Sequence, residues 1–548
     1  MRNTHMRAAA TGLVATTVLI TSGCGGAPKS TPRDKTPVLA AGLKLNPVTA
    51  PAQGEVDNVN WLLEDEPDSL DLDTQGSSAG RVVLTNVCER LYQLQPDMSV
   101  KPFLAEKAQA GAKSLVLTVR SGVTFHDGTP LTADDVLWSL KRHSDPDMEQ
   151  GDEFTNVSDI KKTGEREITV SFKAPDALFT KALAGDAGIV WNKEQVEKAG
   201  KEFGTPGQGD ACSGPYRLSG WKSGDSITIQ RNDDYWGKKP LTRQVTFHWA
   251  ADSALVNALT TGAADGAYAE STNTASALRG KKGLDQHYGP STAALVLIPT
   301  ERGGLKEPKI RRALSLALDR KGIATSGYGG LVEPWETPVG AGAWGYEKPA
   351  FQAAQQAIDG APASPTAADI EQAKELVKDA GGSADNPIVI GTDATQGRTV
   401  IANAVRAALQ RIGLKGQIKT VPTAQFEEYY SEPKARADID LLVGDWYISK
   451  SDPMGFYDNA LSDSSNNWVG FNDPDYDAKV KQALGTIDDA ARSRMTIEVQ
   501  RMFTEAAVWI SIAQVPSVLV VNDKLTGAPA SMAYLYYPWA ADLGAKKG

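Results

Sequence analysis

Residues 76–80 (Gly-Ser-Ser-Ala-Gly) match the G-x-S-x-G pattern that carries the nucleophile of many serine hydrolases. In that pattern the serine lies on a sharp turn directly after an apolar strand, and a histidine accepts its proton. Here the preceding residues 71–75 (Asp-Leu-Asp-Thr-Gln) are mostly polar, and no histidine stands out as a partner. The pattern therefore favours a chance match in a loop, and a secreted hydrolase that uses Ser78 is the alternative from a different functional class.

The histidines form no metal-binding or catalytic motif. None of the five has the H-x-x-x-H or H-E-x-x-H spacing that places two imidazoles on one side of a helix as zinc ligands. The chain also lacks the G-x-x-x-x-G-K-[ST] loop that surrounds nucleotide phosphates. We therefore predict no catalytic residue, no metal site and no cofactor. The histidines are His5, His126, His143, His248 and His287.

The N-terminus has the features of an export signal. Residues 1–7 carry two arginines and no acid, and residues 8–20 are a small, apolar run that is too short to span a bilayer. Residues 21–24 (Thr-Ser-Gly-Cys) resemble the lipobox of bacterial lipoproteins, in which the cysteine becomes the lipid-bearing mature N-terminus. We predict a signal peptide at 1–23 and lipidation of Cys24; the alternative is an ordinary cleaved signal.

Two further cysteines, Cys88 and Cys212, would remain in the mature chain. Outside the cytoplasm a pair of thiols tends to oxidise. We predict a disulfide between these two residues. The alternative is a pair of free, buried thiols that pack as small apolar side chains.

Composition and charge exclude several classes of protein. The chain has 548 residues, of which 41% are hydrophobic and 23% charged, so it is neither wholly disordered nor a polytopic membrane protein. The net charge of −10 becomes −12 when Arg2 and Arg7 are removed with the signal, and such a surface repels nucleic acid. Residues 24–56 are rich in proline and polar residues, which predicts a flexible linker.

Hydrophobic periodicity predicts a mixture of strands and helices. Thr132 followed by two aspartates predicts the capped start of a helix. Strand–helix–strand order in the second half predicts an α/β fold. Period-two alternation predicts strands near 115–119, 168–172, 227–229 and 245–249, and apolar helical stripes predict helices near 133–142, 310–318, 370–380 and 398–412.

Several short stretches occur in an order that resembles one known family. They are 66–71 (Glu-Pro-Asp-Ser-Leu-Asp), 87–92, 102–105, 117–136 with its Phe-His-Asp-Gly-Thr-Pro core, 213–216 (Ser-Gly-Pro-Tyr), 231–236, 310–314, 319–320, Trp446 and 452–453. They are distributed along the chain, so that the resemblance extends over roughly residues 57–545. On this basis the chain resembles the extracytoplasmic solute-binding proteins of ABC importers, family 5, which bind peptides, dipeptides or nickel.

The resemblance implies an α/β fold with two lobes around a cleft, of the type II periplasmic-binding-protein class that includes the large peptide-binding members. The first lobe would be discontinuous, comprising residues 57–296 plus 516–548. The second lobe would comprise 297–515, and hinge strands would lie near 295–298 and 514–517. Closure between the lobes would remove the ligand from water.

The resemblance also implies ligand contacts in the second lobe. In peptide-binding relatives, the aspartate of a W-x-x-D segment pairs with the ligand's α-amine. Here that segment begins at Trp446 and Tyr447, which are our leading contact candidates, and it ends in Ser449 instead of aspartate. Asp445 is a candidate substitute, although its side chain would point away from Trp446 if both lie on a strand.

A second candidate set lies in the first lobe, where the corresponding loop of relatives faces the cleft. It consists of Ser77, Ser78 and Gly80, which offer short hydroxyls and a close backbone approach.

The predicted function is that of a monomeric lipoprotein on the outer face of the cytoplasmic membrane. It would capture a small solute, with oligopeptide first, and deliver it to an ABC permease that has separate ATPase subunits. An oligosaccharide or a nickel–chelator complex is the alternative within the same fold. A non-transport scaffold lipoprotein is a further alternative.

Overall fold

A computed structural model describes residues 44–358 and 361–547 of the chain. The predicted signal peptide, the predicted lipidation site Cys24 and the first part of the predicted linker lie outside these residues. Every helix within the described ranges is too short or too polar to span a lipid bilayer.

The last part of the predicted linker is not a free segment. Leu45 forms a β-bridge with Tyr288, and Gly54 forms one with Ala545. Backbone groups that lie beside a folded surface find hydrogen-bond partners there, and this fixes the segment in place. The prediction of a flexible linker that continues to residue 56 was therefore wrong for residues 45–54.

A seven-stranded mixed sheet forms around the strand Val56–Leu63, whose second half is buried. This strand pairs in parallel with Thr242–Trp249 on one side and with Gly266–Tyr268 on the other. The predicted strands near 227–229 and 245–249 both belong to this sheet and are confirmed. In spatial order the strands are Leu284–Gly289, Ser517–Asn522, Gly266–Tyr268, Val56–Leu63, Thr242–Trp249, Ser226–Arg231 and Tyr216–Lys222.

A four-stranded antiparallel sheet packs into the same hydrophobic core. Leu117 and Ile168 of this sheet belong to one buried cluster with Trp61 and Ile229 of the seven-stranded sheet. We call the part of the chain built on these two sheets the first lobe. The four strands, in spatial order, are Ala105–Ala110, Ser114–Val119, Glu167–Phe172 and Val157–Lys162. Two further two-stranded antiparallel sheets pair Tyr92–Leu94 with Val100–Pro102 and Leu525–Thr526 with Gly544–Ala545.

A six-stranded sheet carries separate apolar clusters on its two faces. Alternate residues of its strand Ala294–Pro299 belong to one cluster or the other, and all six residues are buried. Burial on both faces explains why this strand reads as a continuous apolar run. We call the part built on this sheet the second lobe. Its strands, in spatial order, are Glu333–Pro334, Ile510–Gln514, Ala294–Pro299, Leu441–Trp446, Ile388–Asp393 and Gly416–Val421.

The helices begin at residues that satisfy their free N–H groups. Thr132 and Asp135 form the reciprocal capping box of the predicted helix, which runs over Ala133–His143. The other helices predicted above are also confirmed, with shifts of up to three residues at their ends. The helices are Ser78–Leu84, Ala133–His143, Phe179–Ala182, Lys193–Ala199, Asp252–Thr261, Thr272–Leu278, Pro308–Ala317, Arg320–Tyr328, Lys348–Ala357, Ala367–Asp379, Gln396–Arg411, Glu428–Ser431, Met454–Tyr457, Pro474–Leu484 and Asp489–Ala506.

The chain crosses between the lobes twice. It leaves the seven-stranded sheet after residue 289 and enters the six-stranded sheet at 294, and it returns between residues 514 and 517. The first crossing thus precedes the hinge position expected near 295–298. The first lobe is discontinuous in sequence because its strand Ser517–Asn522 inserts between Leu284–Gly289 and Gly266–Tyr268 of the seven-stranded sheet.

The first lobe contains a disulfide between Cys88 and Cys212, whose Cα atoms are 4.7 Å apart. Both residues are buried. The bond connects one of the stretches on which the family resemblance depends, 87–92, to the residue directly before another, 213–216.

Candidate ligand-binding site

Acidic residues gather where parallel strands of the first lobe end. Glu64 follows the strand Val56–Leu63 directly, and Glu270 follows its parallel neighbour Gly266–Tyr268 after one residue. The carboxyl ends of parallel strands lie at the same edge of a sheet, where α/β proteins commonly bind ligands. The two segments meet there, because the backbone N–H of Glu270 donates to Glu64 Oε1 at 3.1 Å.

A cavity of about 420 Å³ opens at this edge of the sheet. Acidic residues, two serines and two aromatic residues line it; we call the acidic residues its acidic wall and the aromatic pair its floor. Its volume is within the range of small-molecule sites. The acidic residues are Glu64, Asp65, Glu66, Asp68 and Glu270; the serines are Ser77 and Ser78; the aromatic residues are Trp61 and Tyr268.

The aromatic floor is supported by the C-terminal tail. Tyr268 stacks on Tyr534 with ring centroids 3.6 Å apart, and Trp61 packs on Trp539 with centroids 4.2 Å apart. Trp61 and Tyr268 contact each other at 5.4 Å. The tail aromatics thus pack on the first lobe and hold the floor rigid.

The acidic wall is not neutralised by the protein. Among the described residues, no lysine, arginine or histidine forms an ion pair with a carboxylate of this wall. Burial, together with the nearby Glu64 and Asp65, raises the pKa of Glu270 to about 7, although its side chain still meets solvent in the cavity. Burial also raises the pKa of Glu64.

The carboxylates of the acidic wall do not form a metal-binding cluster. Within the described ranges no three histidine, cysteine or acidic side chains converge as metal ligands would. An ammonium group, which donates up to three hydrogen bonds, could meet several separated carboxylate oxygens at once.

Two of the three candidates from the 76–80 segment lie at the cavity. Ser77 and Ser78 line it, and Ser77 also caps the helix Ser78–Leu84, since its Oγ accepts the N–H of Gly80 at 3.0 Å. Gly80 is buried behind this turn, where an added Cβ would lie 3.0 Å from the carbonyl oxygen of Ser69. In this structure Gly80 permits close packing of the loop.

Buried ion pairs anchor the loop that leads to the two serines. The guanidinium of Arg142 donates to Asp71 Oδ2 at 2.6 Å and also contacts Asp73. His143 contacts Asp73 Oδ1 through Nδ1 at 2.5 Å and the carbonyl of Ile189 through Nε2 at 2.8 Å. Both partners are acceptors, so both ring nitrogens donate and the imidazole is charged. Burial lowers the pKa of His143. The interactions with Asp73 and with the Ile189 carbonyl raise it and outweigh that effect, so the net shift is upward.

The hydrolase alternative for Ser78 lacks a histidine partner within the described residues. The ring nitrogens of His126 and His143 contact carboxylates and carbonyls of other residues, and His248 contacts the Asp225 carbonyl.

Tyr447 faces the first lobe from the second. Its side chain is 56% exposed, which is unusual for a large aromatic residue. It interacts electrostatically with Arg81, on the same helix as Ser78, and with Tyr536. Burial lowers the pKa of Arg81. The interactions with Asp186, its ion-pair partner at 2.5 Å, and with the nearby tyrosines raise it, and the net shift is upward. The fold thus brings the two candidate sets toward each other across the gap between the lobes.

The other candidates of the second lobe already have protein partners. Trp446 is half-buried against Trp509, with ring centroids 5.0 Å apart. Asp445 forms an ion pair with Arg398 at 2.5 Å. The Ser449 hydroxyl donates to a carboxylate oxygen of Glu153 at 3.3 Å. Tyr447 is the member of this set whose aromatic face is open.

Sequence reasoning missed the acidic wall. It used residues 66–71 only as a marker of the fold and did not consider Glu64, Asp65 or Glu270. A run of three acids directly after an apolar strand was the available signal for the first segment. Glu270 had no such signal, since it lies 206 residues from Glu64 in the chain.

Comparisons with known proteins agree with this architecture. The family model of bacterial extracellular solute-binding proteins, family 5 (middle), matches residues 99–468. The glutathione-binding protein GsiB of Salmonella typhi is 25% identical over 476 residues, covering 84% of this chain and 89% of that protein.

Two solved structures illustrate the structural similarity. The ABC transporter substrate-binding protein CtaP of Listeria monocytogenes has a TM-score of 0.76 at 19% identity and covers 90% of this chain and 100% of its own. The oligopeptide-binding protein AppA of Bacillus subtilis, solved with a nonapeptide, has a TM-score of 0.68 at 21% identity, with coverage of 91% and 100%. The predicted two-lobed α/β fold with a discontinuous first lobe is confirmed. The chain therefore belongs to the family 5 bacterial extracellular solute-binding proteins and is a substrate-binding protein of an ABC importer.

Proposed function

We propose that this protein captures a short peptide, or a similar small solute with a free ammonium group, and delivers it to the permease. The observation that carries this proposal is the cavity wall of carboxylates that lack a cationic partner among the described residues. Glu64 is half-buried, and a partly desolvated carboxylate is costly unless it is paired. A ligand ammonium provides that pairing through charge-assisted hydrogen bonds.

The remaining surfaces of the site suit the rest of such a ligand. The exposed ring of Tyr447 offers apolar aromatic area from the second lobe, whereas Trp61 and Tyr268 are buried and shape the floor of the cavity. Ser77 and Ser78 offer short hydroxyls for backbone amides. The acidic wall supplies the negative charge that Ser449 lacks in the W-x-x-D segment. Relatives described as glutathione-binding and oligopeptide-binding support this class of ligand.

Binding of tetra-alanine and of its N-acetylated form tests the proposal, with isothermal titration calorimetry as the measurement. We expect the free peptide to bind at least about tenfold more tightly, because acetylation removes the charge and one good charge-assisted hydrogen bond. Glutathione provides a second ligand with a free amine. Equal affinities for the two alanine peptides would overturn the assignment of the acidic wall. Inert peptides together with a cellooligosaccharide that raises the melting temperature would favour the sugar-binding alternative.

We also propose that Cys24 carries the lipid that holds the protein, as a monomer, on the outer face of the cytoplasmic membrane. The basic residues at 1–7, the apolar run at 8–20 and the small residues before Cys24 support this proposal. The partners would be the permease and its separate ATPase subunits. Replacing Cys24 with alanine should move the protein from the membrane fraction to the soluble fraction and abolish incorporation of labelled fatty acid. Unchanged labelling in that variant would contradict the anchor.

A further inference from the structure

Three consecutive side chains of the second lobe contact the first lobe. Lys450 Nζ lies 2.6 Å from Glu153 Oε2, and the Ser449 hydroxyl donates to the other oxygen of the same carboxylate at 3.3 Å. The Ser451 hydroxyl donates to the carbonyl oxygen of Met98 at 2.6 Å. Glu153 lies in a short helical turn just before the strand Val157–Lys162 of the first lobe, so all three contacts join one lobe to the other.

The ion pair in this group is shielded from water. The side chain of Lys450 is 23% exposed and that of Glu153 is 11% exposed, whereas most surface ion pairs are open to solvent and contribute little. Burial lowers the pKa of Lys450. The interactions with Glu153 and the neighbouring carboxylates raise it and outweigh that effect, so the lysine keeps its proton. Both groups would return to water if the lobes moved apart. The pair therefore affects the relative stability of the closed and open arrangements more than the folding of either lobe.

Lys450 also separates carboxylates that would repel each other. Asp458 of the second lobe interacts electrostatically with both Lys450 and Glu153, and Asp152 interacts with Lys450. Burial raises the pKa of Asp458 to about 6, and the nearby lysine opposes that shift. Without the lysine, Glu153 and Asp458 would place like charges on opposite sides of the boundary between the lobes.

The backbone around the three residues is closely packed. The Ser451 hydroxyl lies 3.4 Å from the carbonyl oxygen of Gly342, in addition to its bond with Met98. A Cβ at Gly345 would overlap the carbonyl oxygen of Ser451 and lie 2.9 Å from that of Met98. Only glycine allows these three segments to approach so closely.

We propose that Lys450 and Glu153 form an electrostatic latch that holds the two lobes together in the ligand-free protein, and that Ser449 is part of this latch. The proposal does not depend on the identity of the ligand. Lys450 and Glu153 are positioning residues, because they set how the lobes face each other and do not line the cavity.

Small-angle X-ray scattering of the full, ligand-free chain tests the latch. Lys450→Met should increase the radius of gyration and reduce the ratio of closed to open molecules about tenfold, whereas Lys450→Arg should retain the wild-type curve. Lys348→Met is the matched control, since Lys348 and Asp97 form an exposed ion pair between the lobes at 3.7 Å. We expect that control to have little effect.

A double-mutant cycle separates the latch from general damage to the fold. Glu153→Gln combined with Lys450→Met should open the protein no more than Lys450→Met alone, because both changes remove the same interaction. The melting temperatures should stay close to that of wild type. Identical scattering curves for wild type and Lys450→Met, or additive effects in the cycle, would overturn the proposal. Failure of all peptides to bind would instead count against the proposed function and leave these curves unaffected.

Discussion

Replacing Glu89 with alanine should lower the free energy of unfolding by about 3 kcal/mol or more. The Glu89 carboxylate is buried in the first lobe and accepts hydrogen bonds from the hydroxyls of Ser213 and Tyr235, each at 2.8 Å. The indole N–H of Trp236 donates to it at 3.1 Å. Truncation would leave three donors without an acceptor, and each such loss costs about 1–3 kcal/mol. Chemical denaturation at pH 6 measures the effect.

Glu89→Gln is the matched control, because the amide preserves the shape and most of the acceptor capacity. Burial raises the pKa of Glu89 to about 7, although the hydrogen bonds from its three partners lower it. The folded protein thus binds a proton here more tightly than the unfolded chain. This contribution to stability is complete below the ordinary glutamate pKa and is lost as the pH rises through about 7. Glu89→Gln should therefore reduce the free energy of unfolding more at pH 5 than at pH 8. A Glu89→Ala variant within about 1 kcal/mol of wild type would contradict the role assigned to this cluster.

Replacing Glu270 with lysine should weaken the binding of tetra-alanine about a hundredfold. The change removes one carboxylate from the cavity wall and places a positive charge beside the ligand ammonium, and a charge-assisted hydrogen bond alone contributes about 1.5–3 kcal/mol. Glu375→Lys changes the net charge equally at an exposed position on the helix Ala367–Asp379, so it controls for long-range electrostatics. Isothermal titration calorimetry measures both variants. Equal weakening by the two changes would show that only net charge matters.

The affinity for the same peptide should also depend on pH through Glu270. Burial and the nearby Glu64 and Asp65 raise the pKa of Glu270 to about 7, so this carboxyl is largely neutral at pH 5.5 in the free protein. An ammonium ligand prefers the ionised form. Affinity should therefore fall by up to about tenfold for each pH unit below 7. The Glu270→Gln variant should show a flatter profile, and an unchanged slope in that variant would assign the titration to another group.

Local sequence signals were sufficient to predict most of the helices and strands named in the sequence analysis. Thr132 and Asp135 carry their capping box within four residues, and Ser114–Val119 and Pro308–Ala317 carry their periodicity within one strand or helix. Such patterns are visible in sequence because side chains alternate along a strand and recur every 3.6 residues along a helix. The linker boundary was wrong because the hydrogen bonds of residues 45–54 involve strands far along the chain.

The hydrogen-bond partners of the Glu89 carboxylate could not be predicted from sequence motifs. Glu89, Ser213 and Trp236 belong to three separate stretches that marked the family, yet nothing in their spacing indicated that one carboxylate would bind the other two. The substitution at Ser449 was visible in sequence. Its contact with Glu153 depends on how the lobes meet.

The order and type of the elements, and the family to which the chain belongs, were determined by sequence alone, because periodicity, capping and short ordered motifs are properties of neighbouring residues. Only the tertiary structure brought the acidic wall together. Glu64 and Glu270 share one cavity because the strands that precede them pair in parallel and end at the same edge of the sheet. That pairing brings together residues that are 206 positions apart in the chain. Neither carboxylate has a cationic partner among the described residues, and this is the basis of the proposed ammonium site.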